Sequence, residues 1–211
     1  SISSSNSLYV YWLSCCGTGR ETFSIEYNML RFFGLSKRKK IKVEEAIDLY
    51  VSVLNEVIEN GFIEIKEFIN NNNNLESNPD IKDEDVKWFR MIILLGNLNL
   101  LGQNFESQEA IDIRVLILDR ILSLIDKNLD LAMEQFLHYE DYFKQLLSEN
   151  EDVPKTMAIA IFEKYNINDY QGDLFKRKNT PNPVFLHELK NLLRHFIWNW
   201  EDYLKKYKIN F

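Results

Sequence analysis

The sequence predicts an all-α protein: an irregular antiparallel helical bundle or short helical-hairpin array of six to eight helices, with room for one short N-terminal strand. Three observations predict it. Apolar residues recur at three- and four-residue spacing through several long segments, the mark of amphipathic helices. Only 7 Gly and 4 Pro punctuate 211 residues, too few for a turn-dense β-sandwich. Hydrophobic residues make up 45% of the chain, enough to build one core. Residues 1–211 are accordingly expected to form a single helical domain.

Residues 1–7, SISSSNS, are polar and expected to be loose. Leu8–Leu13 (LYVYWL) is aromatic and β-branched, suited to a short strand or a first helical turn. Cys16-Gly17-Thr18-Gly19 reads as a tight turn. Thr18 or Thr22 can cap a helix running through Phe33, with Gly34 as its stop. Val43–Ile69 is the clearest helix, with Gly61 as a potential break point. The homopolymeric tract Asn70–Asn74 opens an exposed, cleavage-prone loop over 70–80.

Asp83, Glu84 and Asp85 suit the positive end of a following helix dipole. The next helix carries Trp88–Leu101 and ends at Gly102–Asn104. Ser107 is a candidate N-cap for a helix through Ile125. Apolar residues occupy nearly every face of that helix, which predicts a central position. Leu129–Leu147 is amphipathic, with Phe136, Leu137, Phe143 and Leu146 on the predicted inner side. Asp152-Val153-Pro154 starts a shorter helix through Tyr165, Pro154 being tolerated in a first turn. Residues 166–183 read as an irregular connection, and Val184–Lys206 as one final helix. The tetrapeptide Glu45–Asp48 recurs as Glu109–Asp112, but the flanking residues diverge and 64 is no familiar repeat period.

Charge divides the chain. Residues 1–42 hold seven basic and two acidic side chains, whereas 43–211 hold 18 basic and 30 acidic. An acidic body repels phosphate backbones, so nucleic-acid binding is disfavoured and a basic protein partner favoured. The two cysteines, Cys15 and Cys16, are adjacent, so they frame no disulfide network, and a reducing, cytoplasmic setting is expected. No apolar run is long enough to span a membrane.

No catalytic or metal constellation emerges. Glu134 and His138 stand four apart, but HExxH is absent. His187 and His195, eight apart on one predicted helix, are about 12 Å apart by helical rise, too far to share an ion. No cofactor or metal is therefore expected. Cys-Cys-Gly-Thr-Gly-Arg is the most enzyme-like string, yet it matches neither phosphate-loop pattern. Two basic clusters, Lys37-Arg38-Lys39-Lys40 and Lys176-Arg177-Lys178, form an anion patch if the fold brings them together. Trp198, off the apolar stripe of the last predicted helix, and Tyr203 are candidate interface anchors. Glu56, Glu59, Glu140 and Asp141 are candidate acidic contacts.

These features predict a non-enzymatic protein-binding module, of the kind an inhibitor or immunity-type protein provides against a basic partner. Two alternatives compete with it. One is a small helical hydrolase or nuclease using the Cys15/Cys16 region, and the other is anion or nucleic-acid binding through Lys37–Lys40.

Overall fold

A computed structural model describes residues 38–150 and 152–211. The predicted strand at Leu8–Leu13, the Cys15/Cys16 turn, the helix through Phe33 and Lys37 lie outside these residues. The described chain is helical apart from one two-stranded parallel ribbon.

The ribbon pairs β1 (Lys39–Lys42) with β2 (Tyr207–Asn210), Ile41 opposite Ile209. Lys39 and Lys40 of the basic run thus lie in a strand, and Ile209 buries its side chain. α1 (Val43–Asn70) starts directly after β1 and runs unbroken through Gly61. Ala46, Ile47, Tyr50, Leu54, Ile58, Phe62, Ile65 and Ile69 form its buried stripe. Lys66–Asp83 and Arg90–Glu59 pairs fix α2 (Val86–Asn99) antiparallel to it. Between them, residues 71–80 form a fastened loop. The Asn70 carboxamide both donates to Ile81 O (3.0 Å) and accepts from Ile81 N (2.9 Å). Glu76 N donates to Tyr170 O at 2.8 Å, beside a bridge between Leu75 and Gln171.

α3 (Ser107–Ile125) and α4 (Leu129–Asn150) form the next hairpin. The Glu109 carboxylate accepts from Glu106 N at the start of α3, one residue before the predicted cap. Two expectations fail here. Only one side of α3 is buried (Ile113, Ile117, Leu118, Ile121, Leu122), so it is a peripheral helix rather than a central one. On α4, Leu137 faces solvent, whereas Phe136, Phe143 and Leu146 are buried. The centre belongs instead to α2 and α5 (Val153–Lys164), whose small residues permit close approach. A Cβ on Gly96 would stand 2.5 Å from Met157 Sδ. Asp152 caps α5 by accepting from Lys155 N (3.1 Å), with Pro154 in the first turn.

The connection after α5 is more ordered than predicted. It contains α6 (Asp173–Lys178) and a 3₁₀ turn at Ile167–Tyr170. Buried Gln171 organises it, donating to Asn168 Oδ1 (3.0 Å) and Thr180 O (3.1 Å) and accepting from Asn182 N (2.6 Å).

The single last helix predicted over 184–206 is two helices, α7 (Pro183–Leu193) and α8 (Trp200–Lys206), with a 3₁₀ turn at Arg194–Phe196 between them. The cause lies 100 residues away in sequence. Asn97 is buried in α2, and its amide group donates to Ile93 O and Phe196 O, both at 2.9 Å. Its carbonyl accepts from Trp198 N at 2.8 Å. One carboxamide therefore supplies the break with partners that a continuous helix would have drawn from its own backbone. Asn199 then caps α8 by accepting from Asp202 N at 2.9 Å. His187 lies on α7 and His195 in the 3₁₀ turn, so they do not share the single helix assumed from their spacing.

Candidate functional site

The exposed apolar residues are unevenly distributed. Of eleven large hydrophobics that the described chain exposes, six lie within the α3–α4 hairpin: Ile111, Val115, Leu124, Leu129, Leu131 and Leu137. Ile111 and Val115, at 53% and 59% exposure, are one helical turn apart on the outer side of α3. Asp112 and Asp119 lie along the same exposed side. The hairpin turns its arginines inward. Arg114 is only 29% exposed and pairs with Glu140 at 2.9 Å, and Arg120 pairs with Asp48 of α1. Drawing both arginines into ion pairs while Asp112, Asp119 and Asp130 stay exposed makes the outer face acidic and apolar together, although Lys127 at the hairpin tip and Lys144 on α4 are also exposed. On α4 that side continues through Asp130, Glu134, Leu137, His138 and Asp141, all exposed.

Beyond Asp141 the surface drops into a cleft of about 550 Å³ between α4 and α5. His138, Tyr139, Asp141, Tyr142, Glu163 and Lys164 contribute to its lining. Tyr142 OH donates to Glu163 Oε2 at 2.5 Å. Burial pushes the Tyr142 hydroxyl far up, and the Glu163 hydrogen bond and charge add to the effect, so it stays a neutral donor. The Lys164 amine meets the Tyr139 hydroxyl and stands 3.8 Å from the centroid of the Trp88 ring. Trp88 and Tyr139 are 4.8 Å apart, centroid to centroid, and Lys87 approaches the same indole at 4.8 Å. Burial lowers the Lys164 pKa, and Lys87 lowers it further.

The sequence-predicted site residues separate into three groups. Asp141 lies on the acidic, apolar face, and Glu56 and Glu59 are exposed on α1, where Glu59 pairs with Arg90. Glu140 is a correction. It is 5% exposed and committed to Arg114 and Lys144, because α4 turns it toward α3. Trp198 and Tyr203 are also corrections as exposed anchors, at 7% and 8% exposure. The break before α8 swings Trp198 onto Tyr50 and lets Tyr203 pack against Trp198 and Trp200. Trp198 meets Tyr50 edge-on at 5.3 Å and Tyr203 at 5.8 Å, while Trp200 stacks on Tyr50 at 5.2 Å.

The anion patch does not assemble. Arg38, Lys39 and Lys40 sit at the N-terminal end of α1. Lys176, Arg177 and Lys178 sit on α6, tied through Gln171 and Tyr170 to Leu75 and Glu76 just past the C-terminal end of α1. A 28-residue helix separates those ends by about 42 Å. Arg38 donates to Leu204 O (3.2 Å) and Arg177 pairs with Asp173 (3.1 Å).

Among the described residues, no group of three or more His, Cys, Asp or Glu side chains is placed to hold a metal ion. No helix among them is long and apolar enough to cross a membrane. Sequence reasoning missed the α4–α5 cleft, since nothing in the spacing of Trp88, Tyr139 and Lys164 reveals that they meet. Asn97 did carry a signal, as a polar residue interrupting an apolar run. Compared with protein-family models, curated proteins and solved structures, the chain matches none.

Proposed function

We propose that the protein is a docking module that binds a basic protein partner on the outer face of the α3–α4 hairpin. One observation carries this reading: the exposed apolar side chains concentrate on the same hairpin that exposes most of its carboxylates and half-buries its arginines in ion pairs. Apolar surface supplies the contact energy, and the acidic surround steers and selects a cationic partner. An inhibitor or immunity-type role against a basic toxin or nuclease is the concrete form of this function. The setting proposed for it is the cytoplasm.

The test is affinity capture from native extract at low and high salt, with wild type and Val115→Lys side by side. The expected result is a stoichiometric basic partner, released by salt and absent with Val115→Lys. A partner retained equally by both proteins would place binding elsewhere, and no partner from either would overturn the reading.

A further inference from the structure

The α4–α5 cleft contains an amine in an unusual position. Lys164 lies at the C-terminal end of α5, and its ammonium meets the Tyr139 hydroxyl, although Glu163 and Asp141 also line the cleft. It also meets the faces of Trp88 and Tyr139. Lys87, on α2, approaches the same Trp88 ring. Two ammonium groups thus share one indole, and the nearer one is the more deeply placed. A single cation on an aromatic face is favoured by the ring, but a second cation offsets that gain and raises the cost of keeping both charged. A lysine that is partly desolvated and beside another cation is the standard activated amine nucleophile.

We propose that Lys164 is a reactive lysine that condenses with a small aldehyde or ketone admitted to the α4–α5 cleft. The neutral amine adds to the carbonyl carbon. A proton passes from that nitrogen to the new alkoxide oxygen, giving a neutral carbinolamine; a second proton, taken from solvent, lets the hydroxyl leave as water while the C–O bond breaks and the C=N bond forms, leaving a protonated imine. The Tyr139 hydroxyl, kept protonated by burial, is placed at the amine to hydrogen-bond the adduct. His138 faces the same cleft from α4.

The experiment is reductive alkylation of the full chain with formaldehyde and cyanoborohydride from pH 6 to 11, resolved lysine by lysine by peptide mass spectrometry. Cyanoborohydride supplies the hydride that traps the imine. Lys164 is expected to label several-fold faster than the surface lysines at pH 7, with its half-maximal rate at lower pH than theirs. Lys87→Met, at a solvent-facing position, should move that midpoint upward while leaving the helical circular dichroism unchanged. Labelling of Lys164 with an ordinary lysine profile, no labelling at any pH, or no response to Lys87→Met would each overturn the proposal.

Discussion

Replacing Asn97 by alanine tests how the C-terminal helices are placed. The carboxamide is buried and makes three hydrogen bonds, two of them to the break that separates α7 from α8. Alanine leaves the Phe196 carbonyl and the Trp198 N–H without that partner. At roughly 1–3 kcal/mol for each of these two buried groups left unmatched, the variant should lose about 2–6 kcal/mol. Urea unfolding followed by far-UV circular dichroism measures the loss as a lower midpoint with little change in slope. Tryptophan emission should shift at zero denaturant, because Trp198 and Trp200 are seated on Tyr50 by the same break. Asn97→Asp sharpens the test. It keeps the acceptor for Trp198 N–H but turns a carboxylate oxygen toward the Ile93 and Phe196 carbonyls. Near neutral pH it should therefore destabilise at least as much as alanine, and less as the pH falls. A cost below about 1 kcal/mol for Asn97→Ala would refute the assignment of the break to this side chain.

Three further outcomes are expected. Gly96→Ala should cost about 1–3 kcal/mol despite alanine's better helix propensity, because the new methyl group overlaps buried Met157; calorimetry should show much of the loss recovered in Gly96→Ala/Met157→Ala. Burial raises the Asp152 carboxyl, but the Lys190 ammonium and the Lys155 N–H outweigh it and hold the pKa below the usual range. Its folded value is thus below its unfolded value, so its stabilisation is complete above the ordinary carboxylate range and is lost as pH falls through the folded value. Asp152→Asn, which keeps the capping oxygen, should flatten that acid limb in pH-dependent melting, whereas Asp152→Ala should also lose about 1 kcal/mol of capping at neutral pH. Glu140→Gln should cost about 1–2 kcal/mol in chemical denaturation by leaving Arg114 half-buried without its counter-charge, and high salt should not mimic the effect.

Helix positions were legible because burial follows the apolar period. The long helix over 43–70, the capped start at Asp152 and the inner faces at Phe136 and Phe143 all rest on local pattern. What escaped is decided at long range. The continuous apolar period across 184–206 gives no hint that Asn97 breaks the helix. The apolar content of Ile111–Ile125 suggested a central helix, yet burial needs neighbours on every side, and α3 has them on one. The same error hides the exposed apolar side of α3, where Ile111 and Val115 lie. Trp198 and Tyr203 were misplaced because their orientation depends on that break, and Glu140 because its commitment to Arg114 depends on how α3 and α4 pack. The clusters at Arg38–Lys40 and Lys176–Lys178 could be judged only once α1 had set the distance between them.

Site-specific photo-crosslinking tests the docking face most directly. A benzophenone amino acid placed at position 115, and separately at position 184, compares two exposed apolar sites, on α3 and α7. Irradiation in native extract at low salt should yield one discrete adduct with a basic protein from position 115, lost at high salt, and none from 184. Equal adducts from both positions, or none from 115, would contradict a partner surface on the α3–α4 hairpin.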